Sequence, residues 1–242
     1  MVLKENLEEL EEKIAAACRK AGRARGEVEL MAVSKTHPAA AIEQAEALGL
    51  ALFGENRVQE FAAKSAEIAP LRQRAAAPVR VHLIGHLQSN KAQRAVELFD
   101  GIDSVDSLRL AERLNEAAGK LNKRLPILLE VKLSPEETKA GLDPDSAEAA
   151  QLLERLPELG NLQTRGLMTV APLGVTEAET RACFHSLQRW RERWTAAYPR
   201  LSLETLSMGM SEDFALAIEE GTTRIRVGTA IFGARTANRE TA

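Results

Sequence analysis

The sequence is poor in cysteine, with only Cys18 and Cys183, which are far apart in the chain. Two such residues make neither a metal-ligand spacing nor a disulfide framework, and a reducing cytoplasm is the expected setting. Aromatic residues are also few, at 4% of the chain, so no platform for stacking nucleic-acid bases is expected. Neither sign of charge dominates. Lys and Arg number 32 against 35 Asp and Glu, and a net charge of −3 lacks the basic surplus of a nucleic-acid footprint. The arginine runs Arg72/Arg74 and Arg189/Arg191/Arg193 fall among helix formers and read as solvated faces. No apolar run approaches the ~20 residues of a membrane span. The N-terminus is acidic from Glu5 to Glu12, unlike a secretory or transit leader. No linker is visible, so one domain over residues 1–242 is expected. A G-x-G-x-x-G turn after a strand is missing too, which removes the main dinucleotide-binding signal.

What is present is alternation. Leu3, Leu7, Leu10, Ile14, Ala17 and Cys18 recur at helical spacing and predict a leading amphipathic helix ending near Gly22. Eight strand-like runs then follow, at Val28 to Lys35, Leu50 to Phe53, Val79 to Ile84, Gly101 to Val105, Leu125 to Leu133, Gln163 to Val170, Leu201 to Ser207 and Arg224 to Val227. Helical patterns separate most of them, including Ala39 to Leu48, Val58 to Ile68, Ser107 to Leu121, Thr176 to Ala197 and Glu212 to Glu220. The stretches Pro70 to Pro78 and Ser134 to Asp143 read as a connector and a long loop. Eight βα repeats predict an α/β fold, a single (β/α)8 TIM-type barrel preceded by an extra N-terminal helix.

In such a barrel the residues just after each strand share one mouth, and the unusual side chains gather there. Lys35 follows strand one, Asn56 strand two, His86 strand three and Met168 strand six. The segment Ser207-Met208-Gly209-Met210-Ser211 follows strand seven, and Gly228-Thr229 strand eight. A strand-end lysine can lose its proton and attack an aldehyde. Ser207, Gly209 and Ser211, just ahead of a helix expected near Glu212, offer hydroxyls and close backbone approach to an anion, as do Gly228 and Thr229. Each feature alone is more often a solvated lysine or an ordinary turn. A lysine for an aldehyde together with a cradle for a phosphate describes pyridoxal 5′-phosphate (PLP). His82, in mid-strand, reads as a satisfied core histidine, and His37, before Pro38, as exposed.

Six segments carry a resemblance: Ala32-Val33-Ser34-Lys35-Thr36, Phe53-Gly54-Glu55-Asn56, His82 through Lys91, Gly166-Leu167-Met168, Ser207 through Ser211, and Arg226 through Gly233. In order and over nearly the whole chain, they resemble the pyridoxal phosphate homeostasis protein family, stand-alone relatives of the alanine racemase N-terminal barrel. The resemblance implies a PLP-binding protein that holds the cofactor as a Schiff base on Lys35. Ser207, Gly209, Gly228 and Thr229 would then hold the phosphate, Asn56 and His86 line the pocket, and Met168 pack beside the ring. Arg226 would face the pyridine nitrogen, where a fixed positive charge opposes protonation of the ring and makes it a poorer electron sink.

The alternative is a PLP-dependent amino-acid racemase. In the related racemases a tyrosine from a separate domain of the partner subunit serves as the second base. This chain stops soon after strand eight and its one tyrosine, Tyr198, is expected at the opposite end of the barrel. A non-catalytic carrier, monomeric, is therefore expected, with PLP-dependent apoenzymes as recipients and no nucleic-acid or membrane partner. A phosphosugar aldolase would need acid/base carboxylates, for which only Glu55 and Glu130 present themselves.

Overall fold

The computed structural model describes residues 2–74, 78–134 and 140–233. The leading helix α1 (Val2–Lys20) buries Leu7, Leu10, Ile14, Ala17 and Cys18, the face its sequence spacing marks out. The strands are β1 (Glu29–Val33), β2 (Leu52–Glu55), β3 (Arg80–Leu83), β4 (Gly101–Val105), β5 (Leu125–Glu130), β6 (Leu162–Met168), β7 (Thr205–Ser207) and β8 (Arg224–Val227). All pair in parallel, each with its neighbour in sequence, and β8 closes on β1, giving the expected eight-stranded barrel.

Most strands are shorter than their apolar runs suggest. β7 keeps only Thr205–Ser207 of a run expected from Leu201, and β5 ends at Glu130 rather than Leu133. Apolar residues before or after a strand are buried between helix and barrel without joining the ladder, as Leu201 and Leu203 are. β2 departs the other way, extending through Gly54 and Glu55.

The outer ring consists of α2 (Ala39–Glu46), α3 (Val58–Lys64), α4 (Ala69–Arg72), α5 (Ala92–Leu98), α6 (Leu108–Lys120), α7 (Ala147–Arg155), α8 (Glu177–Ala197), α9 (Phe214–Glu219) and α10 (Thr229–Phe232). α6, α7 and α8 start behind Ser107, Ser146 and Thr176, whose hydroxyls accept from the amide three residues on, the usual N-cap bond. The expected helix from Val58 to Ile68 breaks after Lys64, and the start of the expected connector is helical as α4. Residues 75–77 of that connector and 135–139 of the long loop lie outside the described residues. Leu142 returns to β5, its amide donating to the Glu130 carbonyl at 2.7 Å. Both thiols are buried in helices. Among the described residues no helix is long and apolar enough to cross a membrane.

Candidate functional site

Because the eight strands are parallel and closed, their carboxyl ends form one rim. Lys35 is half-buried in the turn after β1, and Gly228 and Thr229 open α10 after β8. β1 and β8 are hydrogen-bonded neighbours, so the turns that carry Lys35 and Gly228–Thr229 leave adjacent strand ends. A Cβ on Gly228 would sit 3.0 Å from the Val33 carbonyl oxygen, which shows how closely the two turns approach. The rings of His37 and Phe232 meet at 4.9 Å and tie the lysine turn to α10, so His37 is half-buried rather than exposed. Burial, with help from Lys64 and against Glu60, pulls the His37 imidazole below its ordinary pKa.

On the β7 side the structure is more particular than a generic cradle. Gly209 has φ +93°, and a Cβ there would meet Ala217 Cβ at 2.6 Å, so this turn takes glycine alone without rearrangement. The helix expected near Glu212 begins two residues later at Phe214, because Asp213 turns its carboxylate back to accept from the Met210 amide at 2.5 Å. The serines divide: Ser211 is half-exposed, whereas Ser207 is fully buried and its hydroxyl accepts from Arg226 at 2.8 Å.

Arg226 is buried and donates to the Ser207 carbonyl at 2.7 Å and the Thr169 carbonyl at 2.8 Å, which fixes its plane across the ends of β6, β7 and β8. Burial lowers its pKa from the ordinary value, with Asp103, Glu130 and Asp213 opposing. Met168, fully buried, lies between Glu130 of β5 and Ser207 of β7 in the strand register. Asn56 and His86 share a cavity of about 260 Å³ with Arg57, Val58, Gln59 and Lys91. His86 stands on the exposed edge, its Nδ1 3.1 Å from Asp106.

Below the rim, the barrel interior holds a polar chain. His82 Nδ1 lies 2.9 Å from Asp103, Arg224 bonds Asp103 at 3.1 Å, and Arg224 reaches Glu29 across the closure at 2.8 Å. His82 is thus the satisfied interior histidine expected. Burial pushes the Asp103 carboxyl up, but His82, Arg224 and Arg226 outweigh it and hold it below the usual carboxylate range. Tyr198 follows α8 and precedes β7, which puts it at the end of the barrel away from Lys35.

Sequence reasoning missed two carboxylate environments. Glu130, inward at the end of β5, borders a cavity of about 170 Å³ and keeps one oxygen, Oε2, without a hydrogen-bond partner among the described residues. Burial, reinforced by Asp106 and opposed by Arg226 and His86, raises its pKa to about 7. Glu55 points the other way, out of the barrel toward α3, where it meets Lys64 at 2.7 Å. A signal for this pair was present: Val58, Phe61 and Lys64 share the buried face of α3, and a lysine there requires a partner.

A primary amine, hydroxyls, close-approaching glycines and a buried guanidinium at one rim form a donor set that suits an aldehyde bearing a phosphate. Comparisons with known proteins agree. Residues 6–236 match the family model described as alanine racemase, N-terminal domain. The pyridoxal phosphate homeostasis protein of Pseudomonas aeruginosa is 42% identical over 231 residues, covering 96% of this chain and 95% of that one. Its counterpart from Escherichia coli K12 is 39% identical over 232 residues, with 95% of each covered. The PLP-bound structure of PipY from Synechococcus elongatus superposes with a TM-score of 0.82 at 47% identity, over 96% of this chain and 100% of that one. An alanine racemase of Clostridium difficile, at 14% identity and TM-score 0.74, shares the fold over 98% of this chain and 57% of its own. The chain therefore belongs to the pyridoxal phosphate homeostasis protein family, built on the alanine racemase N-terminal barrel.

Proposed function

We propose that this protein binds PLP and serves intracellular PLP homeostasis, holding the cofactor through Lys35 without dedicated catalysis. The observation that carries the reading is that Lys35 and Gly228 follow neighbouring strands, 193 residues apart in sequence but joined through the β1–β8 ladder. When bound, PLP supplies an aldehyde for covalent capture and an electron-withdrawing ring. Lys35 offers the amine. Gly209, Ser211, Gly228 and Thr229 hold the phosphate, and Ser207 links that side to the ring through its bond with Arg226. Asn56, His86 and Met168 line the remainder. Arg226, held by two carbonyls and a hydroxyl, presents positive charge where a pyridine nitrogen would otherwise take a proton, which favours keeping the cofactor over using it.

In this reading the protein is a cytoplasmic monomer that passes PLP to apoenzymes. The monomer is supported by the large exposed apolar residues among those described, Val2, Leu48, Leu121 and the Leu173/Val175 pair, which fall in four separate segments of the chain. Reduction with borohydride should fix a PLP chromophore on the wild type and none on Lys35→Ala, which should retain phosphate-anchored binding weakened by at least about tenfold. A chromophore fixed equally well on Lys35→Ala would reject Lys35 as the attachment point. Sustained conversion of single L-amino acids to D-isomers by the purified protein would reject the non-catalytic role.

A further inference from the structure

The turn that carries Lys35 is held from behind by a buried ion pair that the binding reading does not use. Lys64, on the inner face of α3, donates to the Ser34 carbonyl at 2.9 Å and the His37 carbonyl at 2.8 Å, on either side of Lys35. The same ammonium lies 2.7 Å from Glu55 Oε1, which also accepts the Ser34 hydroxyl at 2.6 Å. Lys64 and Glu55 are 7% and 0% exposed. Between the two clamped carbonyls, Thr36 adopts φ +67°, a left-handed conformation unfavourable for a β-branched residue, while its amide donates to Glu60. Such strain persists only where the surroundings over-determine it. A buried ion pair is seldom the most stable filling for its volume, because desolvation of both charges offsets their attraction. Burial accordingly raises the Glu55 carboxyl pKa even with Lys64 beside it, and Glu55 Oε2 has no hydrogen-bond partner among the described residues. An apolar pair would fill the space but could not bind two carbonyls of a strained turn.

We infer that Lys64 and Glu55 are positioning residues for Lys35: they lock the 34–37 turn so that the Lys35 amine meets a bound aldehyde in the direction of attack. The inference rests on Lys35 as the PLP attachment point. Capture joins Nζ to the aldehyde carbon and releases one water, so it depends on amine direction, whereas holding the phosphate does not. Lys64 and Glu55 therefore govern affinity for the aldehyde separately from affinity for the phosphate.

The full-length protein is compared with Lys64→Met, Lys64→Met/Glu55→Gln and Ser34→Ala, using two probes. One is PLP. The other is pyridoxamine 5′-phosphate, which keeps the ring and phosphate but has no aldehyde. Lys64→Met should lower PLP affinity and the rate of chromophore formation by at least about tenfold and leave pyridoxamine 5′-phosphate binding within about threefold of wild type. The double variant no longer buries a lone carboxylate, so its melting temperature should recover relative to Lys64→Met while chromophore formation stays slow. Wild-type capture in a double variant that folds would overturn the inference and leave the pair a stability feature, as would equal loss of both probes. Ser34→Ala keeps both charges and serves if the lysine variants do not fold. It should slow capture by about threefold or more, and unchanged capture there also overturns the inference. A wild type that forms no chromophore would instead bring down the Lys35 reading itself.

Discussion

Glu130 shows how burial, reinforced by the neighbouring Asp106, can move a carboxyl into the physiological range. Its pKa of about 7 against an unfolded value of 4.5 means that the folded chain holds more protons than the unfolded chain between those pH values. Stability of the unliganded protein should therefore fall as pH rises from 4.5 to 7, by about 3 kcal/mol from this residue. Glu130→Gln should abolish that part of the slope. Glu55 is shifted in the same direction, so the informative quantity is the difference between wild type and variant in urea midpoints across the window. Parallel slopes in the two proteins would show that Glu130 is not the buried group responsible. Neither carboxylate was legible as more than a candidate in the sequence, because a pKa depends on which side of a strand faces solvent and which charges lie across the barrel. Lys35, by contrast, was legible, since an apolar run ending in a lysine and a turn identifies a strand end without reference to anything distant.

At the level of elements, β6 shows how a local irregularity sets the site. Leu162 and Leu167 both pack outward against the helical layer although an odd number of positions separates them, which regular alternation forbids. The pairing with β5 absorbs this by shifting register between Ile127 and Leu128, and Gly166 follows the extra residue with φ +156°. The shift turns Met168 into the barrel beside Glu130. A Cβ on Gly166 would lie 1.9 Å from the Thr205 carbonyl oxygen, so Gly166→Ala should destabilise the fold by more than about 3 kcal/mol. A melt that moves by less than a degree or two would show that the bulge can re-form elsewhere. The helix starts, in contrast, were written locally. Thr176 accepts from the Glu179 amide and Glu179 bonds back to the Thr176 amide at 2.8 Å, so Thr176→Ala should cost about 1 kcal/mol in thermal denaturation without affecting PLP binding.

For the whole molecule, closure of β8 on β1 seals the barrel and brings the turn that carries Lys35 beside Gly228 and Thr229, the residues proposed to hold the phosphate. A ligand that spans both should stabilise the closed form by mass action. PLP at about one hundred times its dissociation constant adds about 2.7 kcal/mol, or roughly 5–10 °C in melting temperature for a chain of this size. Inorganic phosphate at matched saturation should give a shift of similar size, though at far higher concentration, and the shift with PLP should shrink in Lys35→Ala at fixed ligand. A PLP shift that Lys35→Ala leaves intact would place the stabilisation in the cradle alone. The sequence by itself determined the eight βα repeats, the helix starts near Ser107 and Thr176, the strand-end lysine and the Ser/Gly turns after strands seven and eight, because each is a matter of neighbours a few residues apart. Only the tertiary structure decided that Ser207 serves Arg226, that Asp213 occupies the turn before α9, that Glu130 is forced toward neutrality and that Lys64 braces the Lys35 turn. Those outcomes depend on burial and on charges brought together through barrel closure and helix docking, and desolvation has no counterpart in an unfolded chain.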